Sequence, residues 1–322
     1  MVEVTSSAVS VILPVLNEED YLEHAVSAIL AQDFQGSLEV ILAIGPSRDR
    51  TLEIAKTLSE KDDRVKIVDN PTGRTAAGLN LAIANSTHPI IVRVDGHANI
   101  PSNYISIAVK LLNETGAVNV GGVMAAEGVT SFEKAVARAM RSPLGVGAAK
   151  FHTGGEAGET ETVYLGVFKK EALKAVNGFD EHFTRAQDWE LNFRLRQAGG
   201  KIYFDPRLTV TYRPRKSLAA LAKQYFEYGR WRRVVARTHR GTINARYLAP
   251  PITVVGTTIS LVLGFLNPIL LIPAGVYATF LVFASATIGK TFKERFYLPA
   301  ILFVMHMSWG VGFLTSTRRF LR

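Results

Sequence analysis

Between Tyr247 and Gly289 the chain has no Asp, Glu, Lys, Arg or His, an uncharged run of 43 residues. One helix needs roughly 20 apolar residues to cross a bilayer. The run is therefore long enough for two spans, and Asn267-Pro268 near its middle supplies a turn. A third apolar run, from Tyr297 to Thr317, is interrupted only by His306. A hairpin buried in a soluble core is the alternative, but such cores rarely need long apolar runs back to back. The sequence predicts three membrane spans, over 249–267, 268–288 and 297–317. A mean hydropathy of +0.14, high for a soluble enzyme, agrees. The absence of cysteine excludes disulfide scaffolds, thiolate zinc sites, iron–sulfur clusters and cysteine nucleophiles.

Charge is as localised as hydropathy. Of the formal net charge of +9, a net +8 lies between Arg213 and Arg240, where nine Lys or Arg accompany the single acid Glu227. Leu218, Leu221, Tyr225 and Phe226 recur there at roughly helical spacing. The pattern predicts a basic amphipathic helix on an anionic membrane surface, cytoplasmic by the positive-inside tendency. The adjacent spans already account for the basic flank, so a nucleic-acid partner is not expected. The loop Lys290–Arg295 carries net +2 and is expected on the same side. Three spans would then put Arg318, Arg319 and Arg322 on the far side, against that tendency.

The first 210 residues have a different character. Apolar β-branched strands (SAVSVILPV, LEVILAI, PIIVRV) alternate with helical patterns opening near Asn17, Thr51 and Ala76. Alternation of this kind predicts an α/β fold, a mostly parallel sheet covered by helices. Ligands of such sheets bind beyond the carboxyl ends of the strands. The positions of interest are therefore Asn17 and Glu18, Ser47 and Asp49, and Asp95 with His97. Asp95-Gly96-His97 offers two metal ligands one small residue apart, suited to Mg²⁺ or Mn²⁺; an ordinary Asp-Gly turn is the bland reading. Asp49 is expected to cap the helix near Thr51. Glu18 reads either as a nucleoside contact or as a helix cap, and Arg74 either as a diphosphate ligand or as part of a loop-to-helix junction.

A strand ending in Pro14-Val15-Leu16-Asn17-Glu18-Glu19, then Asp95-Gly96-His97, then GVFKKEALKAVNGFDEHFTRAQDWELNFRLRQAGGKIYFDP over 166–206, resembles glycosyltransferase family 2 of the GT-A fold. The pattern most resembles the succinoglycan-type membrane-associated glucosyltransferases, through Asp188–Asn192 and Tyr212-Arg213-Pro214-Arg215. The resemblance implies a GT-A domain over 1–210, basic juxtamembrane helices over 211–246 and two or three transmembrane helices over 247–322. It implies an inverting transfer from a nucleotide-diphosphate sugar, a UDP-sugar foremost, to a lipid-linked or cell-envelope glycan. The enzyme would lie in the cell membrane with its catalytic domain cytoplasmic.

The resemblance assigns Asp188 as the base, although Asp188 would also make a good helix cap. Asp95 and His97 would hold the metal, with Pro14, Asn17, Glu18, Ser47, Arg74 and Asp95 around the donor. Tyr164, Gly166, Gln187, Glu190, Gln224, Arg230 and Trp231 would serve the acceptor, Glu190 alternatively in a salt bridge and Arg230 alternatively on lipid headgroups. Gly154–Glu159 is expected to be a mobile surface loop. The family usually has Glu-Asp where this chain has Gln187-Asp188, and an Asp contacting the base where it has Gly45. Transfer to a polyprenyl phosphate, or an inactive membrane scaffold, are the rival readings.

Overall fold

The computed structural model describes residues 8–318; Arg319 and Arg322, whose charge entered the topology argument, lie outside the described residues. The chain divides into two compact units, one made of 1–125 with 154–212, the other of 126–153 with 213–322. The sequence reading ran the first domain unbroken to 210, whereas the structure groups Ala126–Thr153 with the C-terminal helices.

The first unit begins β1 (Val9–Val15), α1 (Leu22–Leu30), β2 (Leu38–Ile44), α2 (Thr51–Lys61), β3 (Val65–Asp69), α3 (Thr75–Asn85), β4 (Ile90–Arg93), α4 (Tyr104–Thr115) and β5 (Asn119–Ala126). The chain then enters the second unit through α5 (Ser131–Met140), α6 (Pro143–Val146) and α7 (Lys150–Thr153). It returns with β6 (Gly158–Glu159), β7 (Tyr164–Lys169), α8 (Lys170–Ala175), α9 (Gln187–Gln197) and β8 (Ile202–Tyr212). The second unit finishes with α10 (Leu218–Thr238), α11 (Ala245–Leu263), a 3₁₀ turn (Pro268–Leu271), α12 (Ile272–Ile288) and α13 (Phe292–Thr315).

The eight strands form one sheet in the order β3-β2-β1-β4-β7-β5-β8-β6. The first four are parallel, with Val9 opposite Leu38 and Ile90. β7 inserts antiparallel beside β4, Val92 facing Val167. The alternation of β1 explains why its run is apolar apart from Ser10, which is buried and bonded to Glu39. Val9, Val11, Leu13 and Val15 join one core with residues of α1, α2 and α4, while Ile12 joins the other with residues of α3, α8 and α9. A strand buried on both faces has no solvent side to make polar. Gly154–Glu159 departs from the expected loop at its end: Gly158 and Glu159 pair with Phe204 and Tyr203 of β8.

In the second unit three helices are long and apolar enough to cross a membrane: Ala245–Leu263, Pro268–Ile288 and Phe292–Thr315. α10 and α13 touch backbone to backbone. A Cβ at Gly229 would lie 1.9 Å from the Trp309 carbonyl oxygen, and one at Gly312 would lie 2.0 Å from that of Phe226. Both helices therefore need glycine at their contact.

Candidate active site

β1, β2 and β4 end together at the carboxyl edge of the sheet, and two loops are laced there by hydrogen bonds. Pro14 is the penultimate residue of β1, in register with Ala43. Beyond it Asn17 adopts the left-handed region at φ 55°, which an Asn tolerates better than most residues. Its amide donates to Ser47 Oγ at 3.1 Å, and its Oδ1 accepts from the Arg48 amide at 2.8 Å. The Glu18 amide donates to Thr51 Oγ1 at 2.8 Å. Asp49 accepts from the Thr51 amide at 3.1 Å and from its hydroxyl at 2.6 Å, so it braces the start of α2 from one residue ahead of the N-cap, Arg50, rather than capping it as expected. These bonds, the Thr51 hydroxyl first, hold the Asp49 carboxyl below its ordinary range. Asn17, Glu18 and Ser47, expected around the donor, are thus brought together by bonds from backbone amides, and the Glu18 side chain is left to point elsewhere.

It points at His97. Glu18 Oε1 lies 2.8 Å from His97 Nδ1. A Cβ on Gly96 would come within 3.0 Å of Glu18 Cγ, so glycine is what lets the Asp95–His97 turn close against this side chain. A carboxylate on one imidazole nitrogen orients the ring and directs its other nitrogen outward, the arrangement metal-ligating histidines use. Among the described residues no group of three or more His, Asp or Glu is gathered around one point. The protein's own described residues therefore form no all-protein cation cage, and any cation held by Asp95 and His97 would need further ligands from substrate phosphates or water.

Arg93, the last residue of β4, is the group that sequence reasoning missed. Its side chain is only 5% exposed. Nη2 lies 3.1 Å from Asp95 Oδ1, Nη1 forms an ion pair with Asp188 Oδ1, and the guanidinium sits over the Phe179 ring at 5.9 Å. Burial disfavours the Arg93 cation, yet Asp188 and Asp95, with Tyr164 nearby, outweigh it and hold the charge more firmly than on a free arginine. Asp188 shifts the other way from an ordinary ion-paired acid. Burial raises its carboxyl above the usual range; Arg93 opposes the shift and the Asp95 charge adds to it. The signal available in the sequence was a lone arginine inside the apolar strand PIIVRV, since a buried charge must be paired.

Asp188 is not a helix cap. The N-cap of α9 is Ala186, which makes no side-chain cap bond and sits at φ 60°. An alanine in that conformation costs roughly 1–2 kcal/mol, and here it sets the start of the helix that carries Asp188 to Arg93. Gln187 is buried beside it. Glu190, two residues on, is buried in a two-pronged pair with Arg194, both distances 2.7 Å, and so takes the salt-bridge alternative.

Of the residues expected to serve the acceptor, Tyr164 opens β7, where the Leu165 carbonyl accepts from the buried Tyr104 hydroxyl at 3.0 Å. Gly166 serves packing: a Cβ there would lie 2.3 Å from Asn119 Oδ1 and 2.5 Å from the Phe168 ring. Arg74, at the start of α3, donates to the Glu181 carbonyl at 3.1 Å, while Asn80 bonds Phe179 and Glu181. The Gly178–Glu181 turn is thereby clamped on α3. Gln224, Arg230 and Trp231 belong to the second unit. There Gln224 bonds the Tyr228 hydroxyl at 2.8 Å, Arg230 pairs with Glu227 at 2.8 Å, and Trp231 is buried.

The sheet order, four parallel strands followed by antiparallel β7, with carboxylates at the carboxyl ends of the parallel strands, is that of the GT-A fold. The chain belongs to glycosyltransferase family 2, whose model, "Glycosyl transferase family 2", matches residues 10–176. It is 32% identical over 315 residues to "Succinoglycan biosynthesis protein ExoA" of Rhizobium meliloti, covering 97% of this chain and 95% of that one. It is 25% identical over 323 residues, covering 95% of each chain, to a dolichyl N-acetyl-glucosaminyl phosphate diacetamido-dideoxy-glucuronosyltransferase of Methanococcus voltae. Among solved structures, the mannosyltransferase PcManGT from Pyrobaculum calidifontis, in complex with GDP-Man and Mn²⁺, aligns at TM-score 0.61 and 19% identity over 96% of this chain and 86% of its own. The S. aureus TarS 1–349 structure with UDP-GlcNAc aligns at 0.54 and 16%, over 96% and 91%. At these identities the two structures speak for the fold alone.

Proposed function

We propose that this glycosyltransferase moves a sugar, with inversion, from a nucleotide-diphosphate sugar to a hydroxyl of a lipid-linked or cell-envelope glycan. A UDP-sugar is the first donor to test. The observation that carries the reading is the Asp95–Arg93–Asp188 cluster at the carboxyl edge of the sheet. In a single displacement the acceptor oxygen attacks the anomeric carbon, the bond from that carbon to the diphosphate oxygen breaks, and the acceptor proton passes to the Asp188 carboxylate. A carboxyl raised above its ordinary range is a better proton acceptor at working pH than a free aspartate. Arg93 keeps Asp188 ionised and aimed. Asp95 and His97 would hold Mn²⁺ or Mg²⁺, which supplies charge neutralisation for the leaving diphosphate.

The relatives' names support the acceptor class: one is a succinoglycan biosynthesis protein, the other acts on a dolichyl-linked sugar phosphate. Nucleotide sugars are cytosolic, and the basic stretch before the first apolar helix favours a cytoplasmic catalytic unit. The deciding experiment is Asp188→Asn. Nucleotide binding should persist while turnover falls roughly 10²–10⁴-fold, the usual worth of a general base. Near-normal turnover would remove the base assignment and favour a phosphate-oxygen nucleophile, which needs no strong base.

A further inference from the structure

Only two of the three apolar helices are built to face lipid. Of the most apolar window of each helix, 11% of α11 and 17% of Pro268–Ile288 is buried, against 39% of α13. α11 and α12 present Ile252, Ile259, Val262, Val276 and Phe283 outward, and the turn between them carries Phe265, 93% exposed, and Leu266, 82% exposed. That turn satisfies its own backbone. Ser260 Oγ donates to the Leu270 carbonyl at 2.6 Å and accepts from the Ala274 amide at 3.1 Å. Internal satisfaction of backbone groups is the condition for crossing hydrocarbon. The 19 residues of α11 and the 21 of Pro268–Ile288 span about 28 and 31 Å at ~1.5 Å per residue, each close to the ~30 Å core.

α13 packs on α11 and α12, where the Tyr277 hydroxyl lies 3.1 Å from His306 Nδ1, and also on the polar helices α5, α6 and α10 of its own unit. Near its start, Glu294 is buried with Arg138 Nε of α5 at 3.8 Å, and Tyr297 meets Phe132 edge-on at 5.7 Å. In its middle, His306 Nε2 lies 3.0 Å from the Leu144 carbonyl of α6. Towards its end it meets α10 through Gly312, and the Arg233 guanidinium sits over the Phe313 ring at 4.8 Å. If α13 crossed the bilayer, α10 would be drawn in beside it with Arg230, Arg232 and Arg233. Arginines near mid-bilayer are costly, and three would have to be accommodated together.

The corner where α12 meets α13 is made for headgroups instead. Lys134, Arg138, Lys290 and Lys293 line a cavity of about 630 Å³ beside Phe292, which is 85% exposed. Cations around exposed aromatic rings are the pattern of an interfacial helix on anionic lipid.

We propose that the chain crosses the bilayer twice, as the α11–α12 hairpin, and that α13 lies along the anionic phospholipid surface with α5 and α10, on the side where Arg240 leaves α10. This replaces the third span expected from composition. It also returns Arg318 to the basic side, which removes the conflict with the positive-inside tendency. The inference does not depend on which donor or acceptor the enzyme uses, because its test reads accessibility rather than transfer.

The chain has no cysteine, so single-cysteine variants of the full-length protein report without background. Arg240→Cys, Asn267→Cys and Thr317→Cys, all at exposed positions, are to be labelled with a membrane-impermeant maleimide in intact and inverted membrane vesicles. Leu266→Cys serves as a second reporter should Asn267→Cys disturb the turn. Arg240→Cys and Thr317→Cys should label from one face, and Asn267→Cys or Leu266→Cys from the other. Labelling of Thr317→Cys from the face that labels Asn267→Cys would establish three spans and overturn the proposal. Labelling of all positions from one face would overturn the crossing itself.

Discussion

Removing Arg93 tests the centre of the site more sharply than removing either carboxylate. In Arg93→Met the side chain keeps much of its apolar bulk against Phe179 while Asp95 and Asp188 lose their shared counter-ion. Breaking a buried ion pair by deleting one partner costs about 3–5 kcal/mol. For a domain of 150–250 residues each kcal/mol lowers Tm by about 2–4 °C, so a fall of roughly 6–20 °C is expected by calorimetry. The loss of stability alone would not separate a positioning role from a packing one. The pH profile does. Asp188 accepts a proton only when ionised, so activity rises as pH rises through its pKa. Burial already raises that pKa and Arg93 opposes the rise; without Arg93 the acid limb of kcat/KM must move to higher pH. The profile should be measured on transfer from a UDP-sugar well below the variant's melting temperature. Arg93→Lys, which keeps the charge but not the planar fork that reaches both acids, should fall between the two. An acid limb that stays in place in Arg93→Met, together with an unchanged Tm, would refute the cluster as the organising element of the site.

Asp95→Ala should abolish transfer and remove Mn²⁺-dependent nucleotide binding, as read by thermal shift; undiminished activity in EDTA would contradict the metal assignment. Gly96→Ala should push Glu18 away from His97, because the new methyl would lie 3.0 Å from Glu18 Cγ; nucleotide affinity in Mn²⁺ should fall with little change in Tm. Arg230→Ala should reduce activity on a lipid-linked acceptor more than it reduces nucleotide affinity; equal losses would place Arg230 at the donor instead. The buried Glu39 carboxyl is held at about 2 despite burial, by Lys66, Ser10 and Thr87. A depressed carboxylate stabilises the fold above its unfolded pKa, so stability should be lost as pH falls from about 4.5 towards 2. Glu39→Gln should flatten that acid limb of the melting curve, and an unaltered limb would assign acid unfolding to other groups.

Strand-by-strand, the sequence by itself determined most of the first unit. LEVILAI is the strand Leu38–Ile44, residue for residue, because a parallel strand covered on both faces is apolar apart from a charge that is paired, here Glu39. Asp95, His97 and Asp188 stand out in the sequence as candidates, since polar residues just past apolar strands or at a helix start lie where such folds present side chains to ligands. Local pattern could not show that β7 runs antiparallel between β4 and β5. That pairing joins Val92 to Val167, 75 positions apart, and nothing nearby in the chain encodes it. The lone arginine in PIIVRV signals that Arg93 needs a partner, but local pattern could not name it: Asp188 lies 95 positions away. Nor could composition tell a helix that faces lipid from one that is apolar because it packs against other helices. α12 and α13 are both rich in apolar residues, and what separates them is tertiary: Gly312, Glu294 and His306 of α13 meet α10, α5 and α6, while Val276 and Phe283 of α12 are more than half exposed.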